Sequence, residues 1–247
     1  MITIFQVQFG LVGMLMPFLQ LIFTGKEALP PISGNNYILY SINRFLVERL
    51  RWDEPGQWGT DLTISAASVS GGMGIYARNR GTGDLSVTAT GPVAGTTFGG
   101  IFTMNDSTGE NLDITVGDVT GATYGIDANN RGTGATLVTA TGTVTGRGGD
   151  GVFAANNGTD LTISTASVSG DSRGIYARND GTGTLSVTTS GAISGGTGAA
   201  IQTRSNTGSA VAITLLSTSS VSSSSGVAIV DGDGDAVITI GAGAVVN

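Results

Sequence analysis

The chain has 247 residues, of which 41 are glycine, 40% are hydrophobic and only 12% are charged. Collagen is excluded because the strict Gly-X-Y period is missing, and a disordered tract because low charge and a positive mean hydropathy of +0.22 leave apolar surface to bury. A net charge of −7 argues against nucleic acid as a partner, and the absence of Cys and His removes disulfides, thiolate sites, the commonest general base and the commonest metal ligand.

Residues 1–25, MITIFQVQFGLVGMLMPFLQLIFTG, carry no charge. At ~1.5 Å per residue they are long enough for a helix across a ~30 Å hydrocarbon core. The segment is read as signal-like or membrane-associated, although it lacks a positive n-region and a small-x-small cleavage site. Residues 26–58 are read as a linker or an amphipathic cap. Within them, 35–52 (NNYILYSINRFLVERLRW) places Ile38, Ile42, Phe45, Leu46 and Leu50 near helical spacing with Arg44, Glu48, Arg49 and Arg51 beside them, which predicts an amphipathic helix. A helix there could cover the first turn of a repeat structure, whose core and strand edges need protection.

From residue 59 to 247 one phrase returns: Gly-Ile-x-Ala-x-Asn at Gly74, Gly125 and Gly174, with looser copies at Gly100 and Gly151. The apolar residue after each glycine gives a marker series, Ile75, Ile101, Ile126, Val152, Ile175, Ile201 and Val227, with spacings of 26, 25, 26, 23, 26 and 26 residues. A period near 25 is one coil of a solenoid. Each period holds two more apolar segments. The first alternates, as in Leu62/Ile64, Leu85/Val87, Leu112/Ile114, Leu161/Ile163 and Leu185/Val187; the second centres on Val69, Val93, Val119, Val144, Val168, Ile193, Val221 and Val245. Alternation at period two means strand, and Gly, Asn, Asp, Ser and Thr between the segments mean turns. The fold class that follows is all-β: a right-handed parallel β-helix, or β-solenoid, of about seven coils with three short strands each. TDLTISAASVSG at Thr60 returns as TDLTISTASVSG at Thr159, so four coils were duplicated.

Four residues after each marker stand Asn79, Asn105, Asn130, Asn156 and Asn179. This reads as a structural asparagine ladder whose stacked amides bond from coil to coil. The residue after the marker should point outward, and it reads Tyr76, Phe102, Asp127, Phe153, Tyr176 and Gln202. Tyr76, Phe102, Phe153 and Tyr176 are therefore candidate ligand-contact aromatics, able to stack on sugar rings or simply on each other. Arg178 and Arg204 should neighbour one another in the same way.

A glycosidase needs two carboxyl groups ~5 to 9.5 Å apart. Asp61 and Asp84 share a column, but Asn111, Ala135, Asp160 and Thr184 follow in it, so no catalytic residues are assigned and a carbohydrate-active enzyme stays as the alternative. Asp231, Asp233 and Asp235 in Asp-Gly-Asp-Gly-Asp could ligate Ca²⁺, yet the motif occurs once and does not recur in stacked turns, so a solvated turn is preferred and no metal or cofactor is expected. The sequons at Asn105 and Asn157 matter only in a glycosylating secretory pathway.

Residues 59–247, with their coils of the GIYARNxGTGxLSVT type, resemble the passenger region of autotransporter proteins of Gram-negative bacteria. The resemblance implies secretion to the cell surface or outer membrane, a structural or adhesive role, and a host-surface or glycan partner. It also implies a C-terminal barrel domain. None is present in this sequence, so the chain is expected to be a fragment or truncated product, and a passive spacer without independent function is the remaining reading.

Overall fold

The computed structural model describes residues 61–206, 209–233 and 235–247, and the backbone of three short strands that precede them, Thr3–Phe5, Leu21–Phe23 and Asn36–Tyr40. Residues 1–31 and 32–247 form two units. In the first, Thr3–Phe5 pairs antiparallel with Leu21–Phe23. The remainder of the apolar segment 1–25 lies outside the described residues, among which no helix is long and apolar enough to cross a membrane.

In the second unit, Asn36–Tyr40 is a strand where the apolar spacing predicts the start of a helix. It pairs antiparallel with Ile75–Asn79, from Asn36↔Asn79 to Tyr40↔Ile75. The correction has a physical reason: a strand edge offers unpaired N–H and C=O groups, and the Tyr- and Ile-rich stretch NYILY has β propensity to meet them. The rest of the predicted helix, 41–52, lies outside the described residues.

The repeat region is a parallel β-solenoid of about seven turns, with three strands per turn and no helix among the described residues. Its first stack begins with Leu62–Ala66, its second with Val69–Gly71 and its third with Ile75–Asn79. Each of the next six coils adds a strand to each stack in parallel register, as in Leu62↔Leu85, Val69↔Val93 and Ile75↔Ile101, and Ala236–Ile240 and Val245–Val246 then extend the first and second stacks. Two coils run the first and second strands together, as Thr136–Gly146 and Leu161–Gly170.

Register explains the core. Because side chains alternate across a strand, exact stacking puts every Leu/Ile/Val of a column against its counterpart in the next coil. Leu85, Leu112, Leu161 and Leu185 are fully buried, as are Ile114, Ile126, Ile163 and Ile175. Small residues fill the narrow part beside the third stack, where Ala77, Ala128, Ala154 and Ala177 are also fully buried.

Three register details depart from the sequence pattern. The partner of Ile201 in the last coil is Ile229, not Val227, which is 46% exposed. The serine run 222–225 and Gly226, held at φ 83°, lengthen that corner by two residues. Val221 pairs with Val246 instead of Val245. In the fourth coil the inward position belongs to Thr136, 1% exposed, and Leu137 points outward at 38% exposure. The Thr136 hydroxyl can enter the core because it donates to Asn156 Oδ1 at 2.9 Å.

On the outer side of the first stack, one column is Ser or Thr in every coil: Ser65, Thr88, Thr115, Thr139, Ser164, Thr188, Thr214 and Thr239 are successive register partners. All eight are exposed or half-buried.

The corners before the third stack need glycine for lack of space. A Cβ on Gly151 would lie 2.4 Å from Val168 Cγ1, 2.7 Å from Ser169 O and 2.8 Å from Gly174 O, and two of these three atoms are backbone that stacking holds in place. Gly151→Ala is expected to lower stability by about 1–3 kcal/mol. Urea unfolding followed by circular dichroism checks this, and an unchanged midpoint would refute the packing account.

Candidate functional site

The asparagine column lies inside the solenoid. Asn79, Asn105, Asn130, Asn156 and Asn179 stand in register along the third stack, and each is at most 1% exposed. Side-chain amides buried this deeply must find partners within the fold. Most partners are the backbone of the turn that follows: Asn79 Oδ1 accepts from Gly81 N at 2.8 Å and Asn79 Nδ2 donates to Gly83 O at 2.9 Å. Asn130 Oδ1 and Asn179 Oδ1 accept from Gly132 N and Gly181 N in the same manner.

Direct amide-to-amide bonds join two pairs, Asn105 Nδ2 to Asn130 Oδ1 at 3.2 Å and Asn156 Nδ2 to Asn179 Oδ1 at 3.0 Å. Asn105 Oδ1 itself has no donor. The turn after Asn105 is one residue longer than those after Asn79, Asn130 and Asn179 and closes on itself through Gly109 N to Asp106 O, so no amide two residues on reaches Asn105. The column is thus out of reach of a ligand. The Asn105 sequon is equally buried.

The carboxylates singled out from the sequence are engaged by backbone. Asp61 Oδ1 accepts from Asp84 N at 3.0 Å, Asp84 Oδ1 from Asn111 N at 2.9 Å, Asn111 Oδ1 from Ala135 N at 2.9 Å and Asp160 Oδ1 from Thr184 N at 2.7 Å. At this corner the chain turns out of one strand before entering the next. The side-chain oxygen of one coil takes the amide that the stacked carbonyls miss. The second corner does the same with Asp118 to Thr143 N and Ser167 to Ala192 N.

The Asp-rich turn near the C-terminus follows this pattern too. Asp231 Oδ2 accepts from Asp235 N at 2.9 Å and Ala236 N at 3.1 Å, Asp231 Oδ1 takes the Thr203 hydroxyl at 2.8 Å, and Asp233 takes the amide of Ser205. No group of three or more acidic side chains among the described residues is arranged to hold a metal ion.

The four candidate aromatics stand half-buried on the outer side of the third stack. Tyr76 and Phe102 are register partners stacked with ring centroids 5.0 Å apart and planes 10° apart. Phe153 and Tyr176 lie 5.5 Å apart at 56°. Arg173 covers Tyr176, its guanidinium carbon 3.9 Å from the ring centre. The ring faces turned toward these neighbours are covered, and each ring stays half-buried. Stacking of this kind contributes about 0.5–1.5 kcal/mol per pair beyond area burial.

Between the two pairs sits Asp127, the register partner of both Phe102 and Phe153. Burial pushes its carboxyl up to about 6, against the lowering effect of a hydrogen bond from Asn129, and the nearby charge of Asp150 adds to the rise. Asp150, 1% exposed, gives its two oxygens to Arg173 Nε at 2.9 Å and Nη2 at 2.8 Å, and Arg173 Nη1 reaches Gln202 Oε1 at 3.2 Å. This Asp150–Arg173 pair escapes sequence reasoning, because Asp150 and Arg173 occupy turns of different coils and only register brings them together. Arg178 and Arg204 are register partners, as their spacing predicts, and Arg178 turns to Asp180 at 2.6 Å.

No family model, curated protein or solved structure matches this chain.

Two substitutions probe the polar groups. Asn130→Ala strands Gly132 N in the interior and removes the amide-to-amide bond from Asn105 Nδ2, which keeps its bonds to Glu110 O and Asn111 O. It should cost about 1–3 kcal/mol in chemical unfolding, and a loss below the low end would mean that water replaces the amide. The raised carboxyl of Asp127 makes the folded chain bind its proton more tightly than the unfolded chain, where the value is ~3.9. Wild-type stability therefore rises as pH falls from above 6 toward 4 at this site. Asp127→Asn should stabilise the protein at pH 7 by about 1–3 kcal/mol, with the advantage shrinking as pH falls from about 6 to about 4 and gone below that. A pH-independent difference would contradict this.

Proposed function

We propose that this chain is a non-catalytic, adhesive module of an autotransporter-like surface protein, whose long outer faces contact a host-surface or glycan partner. The observation that carries the reading is the use of the acidic residues. Asp61, Asp84, Asp118 and Asp160, which on a solenoid hydrolase would converge on a substrate, each accept a backbone amide of the next coil. Polar side chains engaged in this way serve the scaffold. What remains for recognition is a set of outer columns with one side chain per coil, ~4.8 Å apart.

Extended contact suits such a scaffold. Its strands are held by many backbone bonds, so a partner meets a preorganised face and little ordering cost is added on binding. On the third stack, the edges of Tyr76, Phe102, Phe153 and Tyr176 and the arginines Arg178 and Arg204 supply amphipathic and cationic groups of the kind enriched at contact centres.

Binding of the full 247-residue chain to epithelial cells and to an immobilised glycan panel tests the reading. The wild type should be retained, and a variant with Tyr76, Phe102, Phe153 and Tyr176 all changed to Ser should lose most of that retention while keeping its β spectrum. Equal binding by the variant would remove the third stack as the contact face. Retention no better than that of an unrelated acidic protein on both cells and glycans would end the adhesive reading.

A further inference from the structure

The outer column of hydroxyls on the first stack is not explained by the scaffold. Some Ser and Thr hydroxyls of the chain serve the backbone, as those of Thr96, Thr108, Thr141 and Ser219 donate to carbonyls of other coils. In the column from Ser65 to Thr239 none of the eight hydroxyls makes a hydrogen bond or other polar contact within the protein. Two residues earlier on the same face, Thr63, Ser86, Thr162 and Ser186 add a second, interrupted column of hydroxyls that are likewise without partners.

The face is also nearly free of charge. Among the described strands of the first and second stacks, Asp113 is the single ionisable side chain. The arginines of the repeat lie in the third stack and in the turns. An acidic chain that keeps charge off one outer face has no electrostatic means of attracting an ionic partner there.

Spacing then selects the ligand. Rows repeat every ~4.8 Å along the solenoid, and hydroxyls two residues apart on one strand are ~6.6–6.8 Å apart. In ice each water oxygen lies ~2.75 Å from four neighbours at tetrahedral angles, which places next-nearest oxygens ~4.5 Å apart. Rows of hydroxyls and rows of ice oxygens therefore differ by only ~0.3 Å per step, so several successive rows can engage one lattice together. A hydroxyl both donates and accepts, so it fits a lattice water in either orientation. The β-branch of threonine restricts χ1 and holds the array in place before contact.

We propose that the outer face of the first stack binds ice, through the hydroxyl column from Ser65 to Thr239. This is a different face and a different ligand from the adhesive contact proposed for the third stack, and neither depends on the other.

The test uses the full 247-residue chain, fluorescently labelled, during slow growth of an ice hemisphere and in measurements of thermal hysteresis. The wild type should be incorporated into the ice and shape the crystals. Two double variants, Thr115→Lys with Thr139→Lys and Thr88→Tyr with Thr188→Tyr, should lose most of the hysteresis at equal concentration. Either is read once its melting curve matches the wild type. Arg204→Ala on the third stack should leave hysteresis unchanged. Exclusion of the wild type from growing ice, full hysteresis in a folded double variant, or retention on crystalline cellulose or chitin without retention in ice would each overturn the proposal.

Discussion

Each coil of this protein is hydrogen-bonded to the coil before it and the coil after it, and almost every other feature follows from keeping that ladder in register. A strand in a parallel stack has no hairpin partner to return to, so its amides and carbonyls are satisfied only if the next coil repeats the same path. A shift of one residue would turn a buried column outward. The pairing holds through the coils with one interior irregularity, between Ala140 and Thr143. The slips come at the last coil, where a serine run and Gly226 lengthen a corner and Ile229 takes the place that spacing assigns to Val227.

Strands satisfy their own backbone, but corners do not, and the polar residues of the repeat are concentrated there. Asp61, Asp84, Asn111 and Asp160 bridge one coil to the next at the first corner. Inside the third stack the asparagine column holds the following turn and so fixes the path by which the chain re-enters the first stack. These residues look like chemistry in the sequence because they are polar, regularly spaced and stacked. They are spaced and stacked because the unsatisfied amides are.

Once the corners and core are assigned, the side chains left over are those on the outer columns. They divide by face. The third stack carries aromatic edges, arginines and Asp127, whose proton affinity is raised by burial and by the nearby charge of Asp150. The first stack carries hydroxyls and almost no charge. A solenoid repeats one position per coil without altering the core, so each column can serve a separate contact; the adhesive and ice-binding proposals rest on two such columns.

The sequence by itself determined the period, the three strands per coil and the inward columns, because alternation and a 25-residue recurrence are local signals that only one stacking satisfies. It also determined that Asn79, Asn105, Asn130, Asn156 and Asn179 share a column. The tertiary structure alone decided the partners of those amides, since these depend on the length of each turn, as Asn105 shows. It decided that Asp150 meets Arg173, 23 residues apart in the chain, and that the rings of Tyr76 and Phe102, neighbours by their spacing, stack face to face. It also turned Asn36–Tyr40 from a predicted helix into a strand, because an open sheet edge is a stronger template than the spacing of a few apolar residues.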